Sequence, residues 1–530
     1  MSKDIERIKR NLISILEKTL RSLYEDADFV GGGTDEDGFY YDIELKKGES
    51  ISEKDLAGIN KKMKDGIDCV GMGWSFTSDC FDLVRVAAAH RNPTDDKPTL
   101  TRIYGYAQET MEELNKFKAM MEEGKKRDHR KIGTKLDLFA FSDLIGPGLP
   151  LFTPKGTAIR DALIKELNKI TDKFGYKRVC IPHLAKAKLY EKSGHTDKFA
   201  EDLFFIKDKK HGDMVIKPMN CPHHCQIYNS SPKSYRDLPV RYSEITSVYR
   251  NEQPGELLGL SRVLSITQDD GHIFCTKDQI KEEAERCVLM IKEFYERLGM
   301  FSIESCNMTV SVRDMNHKEK YLGDDRIWDE SEDILMGVAQ KAGLGEPKKI
   351  EGEAAFYGPK IDFIFKDVLG RNQQLSTIQL DFNIPKRLDV FYTDNEGKKQ
   401  HPILIHRAIT GSLERFIAIL IENFEGNFPF WLSPVQVVVI SVSEKQVARV
   451  NEVADELKSA GIRAETDNSD NKLGKKIYKA KDENVPYYII IGDKEMESGD
   501  LTIESREGEK QTLGLKECVE KLKEVYYSKR

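Results

Sequence analysis

One short segment of the chain concentrates residue types that bind metal ions. Cys221-Pro-His-His-Cys225 holds two cysteines and two histidines within five residues. Two cysteines this close cannot both enter a tetrahedral site that also uses the histidines between them, so a metal would need ligands from distant parts of the chain. The alternative is a buried thiol in a tight turn with two solvent-facing imidazoles.

Two isolated histidines stand in segments where polar and apolar residues alternate, as they do in half-buried strands. His272 lies in the segment Thr267–Phe274, and His406 lies in the segment Pro402–Arg407. Each is a candidate for a missing ligand, although a single histidine in a strand is more often a hydrogen-bonded core residue.

Two further segments carry arginines where a strand meets a loop or a helix. Arg250-Asn-Glu252 falls at the point where one strand of a predicted hairpin enters its loop. Gly411-Ser-Leu-Glu-Arg415 opens a predicted helix. In isolation, the first segment is typical of an exposed ion pair, and the second is typical of a helix capped by Ser412 with a solvated arginine.

The composition of the chain predicts a soluble protein of several domains. Its 530 residues exceed the ~100–200 residues typical of one domain. The longest apolar runs, Val435–Ile440 and Tyr487–Ile491, are far shorter than the ~20 residues of a membrane span. Nine scattered cysteines and a charged N-terminus without a secretory signal predict a reduced, cytoplasmic protein. The net charge of −7 argues against indiscriminate nucleic-acid binding, but it permits a local basic face.

The spacing of apolar residues divides the chain into three predicted domains. Residues 1–130 begin with an amphipathic helix and end with a polar connector helix from Gln108 to Arg130. Residues 131–432 hold many strands and few helices, which is typical of an α+β domain around a mostly antiparallel sheet. Residues 433–530 alternate strand and helix as a βαβαβ unit, which needs a parallel or mixed sheet.

The arginine-bearing segments resemble motifs 2 and 3 of the class II aminoacyl-tRNA synthetases. The hairpin carries Arg250 and then Glu252, and a strand feeds a helix that carries Gly411 and Arg415, as in that family. Pro182 looks like the motif 1 proline that helps to build the dimer interface of these enzymes.

The resemblance narrows to threonyl-tRNA synthetases, whose order and approximate spacing of motifs the chain follows from about residue 100 to the C-terminus. The resemblance implies a homodimeric enzyme that activates L-threonine with ATP and transfers it to tRNA(Thr). The segments that carry it are Lys217–Pro222, Ser234–Pro239, Tyr249–Glu252, Thr267–Asp270, His272–Phe274, Phe356–Lys360, Ile378–Phe382 and His406–Ala408.

The resemblance also names the distant ligands of the metal site. In the family, a zinc ion is held by the cysteine of the Asn-Cys-Pro turn and by two later histidines, which fall here on Cys221, His272 and His406. Cys225 and its two neighbouring histidines are then not expected as ligands, and His223 stands where the family often has glycine.

A zinc ion with three protein ligands keeps a position open for a substrate. By resemblance that substrate is threonine, bound through its amino and hydroxyl groups. Asp270 is expected to accept from the hydroxyl, Tyr357 and Gln379 are expected near the amino group, and Gln268 is expected to orient the substrate. A site that demands a hydroxyl rejects valine, which is nearly isosteric with threonine, by orders of magnitude.

The resemblance assigns further side chains to ATP and Mg²⁺. Arg250 is expected at the α-phosphate and Arg415 at the γ-phosphate, where positive charge stabilises the reaction. Glu252 is expected to read the exocyclic amine of adenine. The other expected residues are Gln374 and Thr377 in the ATP pocket and Arg262 at phosphate or tRNA.

Two residues are assigned to tRNA by the same resemblance. His195, in Ser193–Thr196, matches a histidine that assists transfer to the terminal ribose. The C-terminal domain resembles the family's anticodon-binding domain, with Gly492–Glu495 as its clearest signature and Glu495 as a candidate contact. Asp470 and Glu504 stand where Asn and a basic residue are expected, so anticodon recognition is expected to differ in detail.

The N-terminal region departs most from the family. Gly38–Asp42 and Arg102–Gly105 look like remnants of the family's editing domain, and a triple glycine at 31–33 ends the first helical pattern. The first histidine of the chain is His90, and the His pair and Cys/His pair of the editing site are absent. We therefore expect a shortened domain that does not clear seryl-tRNA.

Two other functions remain open at this point. A non-catalytic RNA-binding or regulatory relative would have lost Arg250, Glu252 or Arg415, and all three are present. A paralogue that loads a carrier other than tRNA would not need an anticodon-type domain. The favoured interpretation is a catalytically active, zinc-containing member of the synthetase family, with an α+β catalytic domain and a C-terminal α/β domain.

Overall fold

The structure is a computed structural model that describes residues 3–35, 38–69, 79–89, 99–198 and 200–528. The chain forms two compact units, Met1–Lys126 and Arg127–Arg530. Within the described ranges, no helix is both long and apolar enough to cross a membrane.

The first unit is a four-stranded antiparallel sheet in the order β1-β2-β4-β3, with the first two helices on one face. The apolar stripe of the first helix, which includes Leu12, Leu16 and Leu20, is fully buried against this sheet. The elements are α1 Lys3–Leu23, β1 Asp28–Thr34, β2 Gly38–Glu44, α2 Leu56–Cys69, β3 Phe81–Ala89, β4 Leu100–Ala107 and α3 Met111–Arg127.

The triple glycine lies within β1 and is part of the sheet, which the sequence pattern did not predict. A Cβ atom on Gly32 would lie 2.5 Å from the side chain of Ile13, and one on Gly33 would lie 2.6 Å from the hydroxyl of Tyr40. Glycine is therefore required because α1 and a tyrosine ring approach this strand closely.

The two segments that resemble an editing domain are neighbours in this sheet. Asp42 of β2 stands opposite Arg102 of β4, and the two side chains form a bidentate ion pair with N–O distances of 2.6 Å. His90 lies outside the described residues.

The predicted connector helix 108–130 is interrupted. Asp128 leaves the helical conformation and its carboxylate accepts a hydrogen bond from the backbone N–H of Arg130, so it caps a separate helix, α4 His129–Lys135. Aspartate is a favoured N-cap residue because its side chain satisfies an otherwise unpaired amide.

The second unit contains an eight-stranded, mostly antiparallel sheet in the order β14-β13-β15-β16-β19-β12-β11-β7. Its helices are α5 Pro154–Lys173, α6 Ala187–Ser193, α7 His195–Lys198, α8 Cys221–Asn229, α9 Ile280–Glu296, α10 Asp325–Gln340, α11 Ile384–Arg387 and α12 Leu413–Phe424. The strands of the large sheet are β7 Lys177–Arg178, β11 Val240–Tyr249, β12 Ser265–Cys275, β13 Cys306–Val312, β14 Lys348–Glu351, β15 Lys360–Lys366, β16 Asn372–Asp381 and β19 Ile403–Ser412.

Shorter strands complete this part of the chain. They form a three-stranded sheet in the order β8-β10-β9 and two separate pairs. Their bounds are β5 Phe139–Ala140, β6 Leu151–Phe152, β8 Leu184–Lys186, β9 Phe204–Ile206, β10 Met214–Ile216, β17 Tyr392–Thr393 and β18 Lys399–Gln400.

Helices α9 and α12 pack against one face of the large sheet, and polar side chains gather on the opposite face, the polar face. Helix α9 buries Phe294 and Tyr295, and Tyr295 stacks on Phe365 of β15 with ring centroids 4.1 Å apart. Helix α12 is mainly apolar and contributes Phe416 and Leu420 to the same core. Burial of these large side chains stabilises the sheet and fixes its position against the helices.

The register of the strands places polar residues opposite one another, in rows across the polar face of the large sheet. His272 of β12 stands opposite His406 of β19, which stands opposite Gln379 of β16. In the next row, Asp270 of β12 and Thr377 of β16 both stand opposite Ala408 of β19. Side chains two residues apart in a strand share a face, so both rows belong to one surface.

A β-bulge interrupts the pairing of β12 with β19. Gln268 pairs with Ser412 but Asp270 pairs with Ala408, so three residues of β19 stand opposite the single residue Asp269. A bulge bends its strand and redirects the chain that follows. Here the chain that follows is α12.

The carboxylate of Asp269 fills this bulge. It accepts hydrogen bonds from the backbone amides of Ile409, Thr410 and Gly411 at 2.7, 2.8 and 3.1 Å, and from the Thr410 hydroxyl at 2.8 Å. The buried guanidinium of Arg407 donates to it at 2.9 Å. The bulge is therefore held by charge as well as by backbone bonds.

The C-terminal part of the second unit is a five-stranded mixed sheet in the order β21-β20-β22-β23-β24. The first three strands are parallel, as the βαβαβ pattern predicts, whereas two antiparallel strands and two helices at its end were not recognised in the sequence. The elements are β20 Val437–Ser441, α13 Val447–Ser459, β21 Ala464–Asp467, α14 Leu473–Asp482, β22 Tyr487–Ile491, α15 Asp493–Ser498, β23 Leu501–Ser505, β24 Lys510–Leu513 and α16 Leu515–Ser528.

We expect Asp269→Asn to destabilise the second unit, because it leaves the buried Arg407 cation without its counter-ion. Breaking a buried pair in this way costs ~3–5 kcal/mol. Urea unfolding followed by tryptophan fluorescence measures the change. Asp500→Asn, which alters an exposed loop carboxylate, is the control. Equal midpoints for the two variants would contradict the role given to Asp269.

Candidate active site

Three ligand-type side chains from separate parts of the chain converge on the polar face of the large sheet. The Cys221 sulfur and one ring nitrogen each of His272 and His406 all lie within 4.8 Å of one another, and all three residues are buried. Cys221 is the first residue of α8, whereas the histidines are opposite each other in β12 and β19. His272 Nε2 and His406 Nδ1 are 3.0 Å apart.

The other ring nitrogen of each histidine has a partner that orients the ring. His406 Nε2 lies 3.0 Å from Asp381 Oδ2. His272 Nδ1 lies 2.8 Å from His224 Nδ1, and His224 Nε2 lies 3.3 Å from Glu244 Oε2. Carboxylates behind histidine ligands fix the ring orientation and the tautomer at metal sites.

These residues fit a zinc ion. Zn–N bonds of ~2.0–2.1 Å and a Zn–S bond of ~2.3 Å bring tetrahedral ligand atoms to roughly 3.3–3.6 Å from one another, which is compatible with this cluster. Burial lowers the pKa of His272 well below its usual value and keeps the imidazole neutral, as a ligand must be. Burial also raises the pKa of Cys221, so its thiolate form requires a cation nearby.

Cys225 and His223 do not belong to this cluster. Cys225 is fully buried in an apolar group with Tyr228 and Phe274. His223 is also buried, only 8% exposed, and burial lowers its pKa to about 4. The alternative of two solvent-facing imidazoles is therefore wrong, because α8 packs both histidines into the protein.

The residues expected around threonine border the cluster. Asp270 Oδ1 is 3.8 Å from His272 Nε2, and Asp270 Oδ2 accepts a 2.9 Å hydrogen bond from the Asn220 side chain. The Tyr357 hydroxyl donates to Gln379 Oε1 at 2.8 Å. The ring of Tyr357 lies 5.6 Å from that of His406.

Gln268 lies two residues before Asp270 on the same strand. It stands opposite Thr246 of β11 and Ser412 of β19, beside the bulge. Strand alternation therefore gives it the same face as Asp270.

Arg250 and His195 lie close to the same face. Arg250 is the residue after β11. Its charge adds to the burial that lowers the pKa of His195 and opposes the burial that raises the pKa of Tyr357. His195 is 4% exposed, and burial lowers its pKa to about 4. Its Nδ1 lies 2.7 Å from the Ser193 hydroxyl and its Nε2 lies 2.9 Å from the Met219 sulfur.

The loop between β11 and β12 carries Glu252 and Arg262. The loop of the predicted hairpin spans residues 250–264. Arg262 Nε donates to Glu252 at 2.8 Å, and Arg262 also pairs with Glu256 at 2.8 Å. Glu252 therefore pairs with Arg262 and not with its near neighbour Arg250.

Arg415 stands at the start of α12. Ser412 caps this helix as expected, but the arginine is half-buried and its guanidinium donates to Gln373 Oε1 at 2.9 Å. Burial, with the charge of Arg262 nearby, lowers the pKa of Arg415. Two arginines that repel each other electrostatically indicate a place suited to an anion.

Gln374 and Thr377 converge on one carboxylate. Both donate to Asp362 Oδ1, at 2.7 and 2.9 Å, while Lys360 pairs with Asp362 Oδ2 at 2.8 Å. Register places Thr377 in the same row as Asp270.

Glu495 lies in the C-terminal sheet domain, not in this cluster. Its carboxylate accepts from the Gly492 backbone at 3.0 Å and from the Thr502 hydroxyl at 2.8 Å, so it caps α15.

Several residues that orient the site were not recognised in the sequence. Asp381 could have been found, because it continues the period-two row of Thr377 and Gln379 on β16. No local signal marks the others, whose partners lie far along the chain. They are Glu244, Asp269, Gln373, Asp362 and His129.

Two family models match the second unit. The model described as the class II core domain of tRNA synthetases (G, H, P, S and T) matches residues 204–424, and an anticodon-binding domain model matches residues 436–525.

Curated relatives and a solved structure point to the same family. The threonine–tRNA ligase of Cytophaga hutchinsonii is 38% identical, covering 93% of this chain and 84% of the relative. That of Porphyromonas gingivalis is 39% identical, covering 92% and 82%. The RNA-binding domain of a threonyl-tRNA synthetase from Cryptosporidium parvum has a TM-score of 0.71 and 34% identity over 75% of this chain and 98% of that one. The chain therefore belongs to the threonine–tRNA ligase family of class II aminoacyl-tRNA synthetases.

Proposed function

We propose that this enzyme selects threonine with a zinc ion held by Cys221, His272 and His406. The convergence of these three buried side chains beside Asp270 is the observation that carries the proposal. When bound, zinc would supply a Lewis acid that takes the amino and hydroxyl groups of threonine. Valine offers no hydroxyl to Asp270, so the carboxylate oxygen that faces the substrate would lose water without gaining a partner, which is costly.

The proposed pocket fixes threonine through its polar atoms. Asp270 accepts from the substrate hydroxyl, and its second oxygen is already held by Asn220. Tyr357 and Gln379 bind near the amino group, and their mutual hydrogen bond orients them before substrate enters. Gln268 completes the orientation of the substrate. Side chains that are ordered in advance lose little entropy on binding.

In the proposed adenylation step, the threonine carboxylate attacks the α-phosphate of ATP, the bond to the β-phosphate breaks, and threonyl-adenylate and pyrophosphate are formed. Arg250 stabilises the charge that grows on the α-phosphate, and Arg415 with Arg262 binds the γ-phosphate, with Mg²⁺ bridging phosphates. Glu252 reads the adenine amine once ATP draws Arg262 away from it. Gln374 and Thr377 line the pocket beside Asp362.

The proposed transfer step uses His195. Its pKa of about 4 keeps it neutral at physiological pH, so it can accept a hydrogen bond from the terminal ribose hydroxyl of tRNA(Thr). Residues 433–530 bind the anticodon in this proposal, and Glu495 remains a predicted contact. The enzyme is proposed to act in the cytoplasm, where tRNA is charged.

We also propose that the enzyme is a homodimer. Large apolar side chains are exposed within one segment, Phe141 by 45%, Leu144 by 97% and Leu151 by 44%. Leu184, next to the predicted interface residue Pro182, is exposed by 44%. Exposed apolar side chains of this size mark interaction sites, and a second copy is the partner that the family implies.

The zinc proposal predicts that Cys221→Ala, His272→Ala and His406→Ala each lose both zinc and threonine activation. Two remaining ligands hold zinc poorly. Cys225→Ala is the matched control, since it removes a buried thiol from the same helix and should keep both properties. Metal analysis of purified variants decides the point, and stoichiometric zinc in Cys221→Ala would overturn the assignment.

The adenylation proposal predicts that Arg250→Ala and Arg415→Ala fold normally but form adenylate slowly. Removal of one preorganised charge donor commonly lowers the rate ~10²–10³-fold. Threonine-dependent ATP–pyrophosphate exchange measures this rate. The exposed Arg326→Ala serves as the control. Exchange near the wild-type rate in both variants would refute their proposed roles.

A further prediction concerns serine, which carries the required hydroxyl and lacks one methyl group of threonine. Lost packing of one methyl gives only roughly 10–200-fold discrimination. Because the sequence lacks the editing motifs, we expect the enzyme to form seryl-tRNA(Thr) and not to clear it. The assay follows deacylation of preformed seryl-tRNA(Thr) against a control without enzyme. Rapid hydrolysis that survives Arg250→Ala would mean that the N-terminal region edits by other residues.

A further inference from the structure

A buried histidine outside the zinc cluster joins two elements of the proposed ATP site. His129 of α4 is only 3% exposed. Its Nδ1 lies 2.8 Å from Glu422 Oε1, and its Nε2 accepts a 3.1 Å hydrogen bond from the backbone N–H of Leu260. Nε2 must therefore be the unprotonated nitrogen, and Nδ1–H donates to Glu422.

The two partners of His129 belong to the elements that carry the arginines. Glu422 lies on α12, seven residues after Arg415, which is about two helical turns along the same face. Leu260 lies in the loop 250–264, two residues before Arg262. His129 therefore connects α12, which carries Arg415, to the loop 250–264, which carries Arg262.

Further contacts hold both partners of His129, Glu422 and the loop around Leu260, in place. Glu422 also accepts a 2.9 Å bond from Arg371 through its second oxygen. In the loop, Leu258 and Arg262 form an isolated β-bridge, with Gly259 between them at a φ of +48°. A Cβ atom on Gly259 would lie 2.4 Å from His129 Nε2, so the loop backbone rests directly on the imidazole.

We propose that His129 is a positioning residue that sets the loop 250–264 against α12, so that Arg262 reaches the same phosphate group as Arg415. The proposal rests on the assignment of these arginines to ATP. The electrostatic effect of Arg262 on Arg415 supports their closeness. Without His129, the buried Leu260 amide has no acceptor, and the loop must shift to find one in solvent.

The test separates the two hydrogen bonds of the imidazole. His129→Asn keeps a donor near the Nδ1 position for Glu422 but loses the acceptor for Leu260, whereas His129→Gln loses that donor and keeps an acceptor near the Nε2 position. In both variants the backbone N–H of residue 129, which donates to Glu422 Oε1 at 3.3 Å, still connects α4 to α12. Because a buried amide without a partner is costly, we expect His129→Asn to raise the KM for ATP about tenfold in ATP–pyrophosphate exchange. The KM for threonine should not change, and His129→Gln should stay within about twofold of wild type for both substrates.

Three comparisons complete the experiment. Gly259→Ala pushes the loop off the imidazole without altering it and should raise the KM for ATP as well. His211→Asn, at an exposed histidine, should have no effect. If His129 acts through Arg262, then His129→Asn combined with Arg262→Ala should be no worse than Arg262→Ala alone.

The outcomes distinguish this inference from the proposed function. An unchanged KM for ATP in His129→Asn, an equal defect in His129→Gln, or additive defects in the double variant would overturn the role of His129. Active-site titration could instead show less active enzyme with both KM values unchanged. His129 would then contribute only to folding, and the proposal would be overturned. If Arg262→Ala itself leaves the KM for ATP unchanged, the phosphate assignment of Arg262 fails, and the role of His129 fails with it, whereas the zinc proposal does not.

Discussion

The buried carboxylate of Asp269 sets the relation between the two strands on which the candidate site depends. It binds three backbone amides of the bulge in β19 and the guanidinium of Arg407, all in the interior. A slip of one strand against the other would leave several of these groups buried without partners, at a cost of ~1–3 kcal/mol each. The register that brings His272 opposite His406 is therefore strongly specified, and so is the direction in which α12 leaves the sheet.

This constraint places two binding regions of different chemical character along one surface of the sheet. The row that contains His272, His406 and Gln379 offers imidazole nitrogens and hydrogen-bonding groups, which suit the polar atoms of an amino acid. At the bulge, the chain turns into α12 and presents Arg415 towards the loop of Arg262, which suits phosphate groups. A ligase that joins a carboxylate to a phosphate needs these two regions side by side and held rigidly.

Much of this arrangement could be predicted from the sequence, because the motif segments are local and their order follows a known family. Strand alternation alone placed His272 and His406 in strands, and the family resemblance selected Cys221 over Cys225. The bulge at Asp269, the support of His224 by Glu244 and the contact of His129 with Leu260 could not be predicted. Each depends on residues far apart in the chain, and none leaves a pattern in the adjacent sequence. The glycines at 31–33 could not be assigned to a strand for the same reason. They are needed there because α1 packs closely against the strand, and the local sequence does not show this contact.

The most direct test of the central claim, zinc-dependent selection of threonine, is amino-acid-dependent ATP–pyrophosphate exchange with threonine, serine and valine. The assay is run on zinc-loaded enzyme and on enzyme stripped by a chelator and then reloaded. We expect threonine to support rapid exchange and serine to support slower exchange, with valine near background, and we expect removal of zinc to abolish exchange reversibly. Exchange with valine comparable to that with threonine, or undiminished exchange with threonine after zinc removal, would contradict the account.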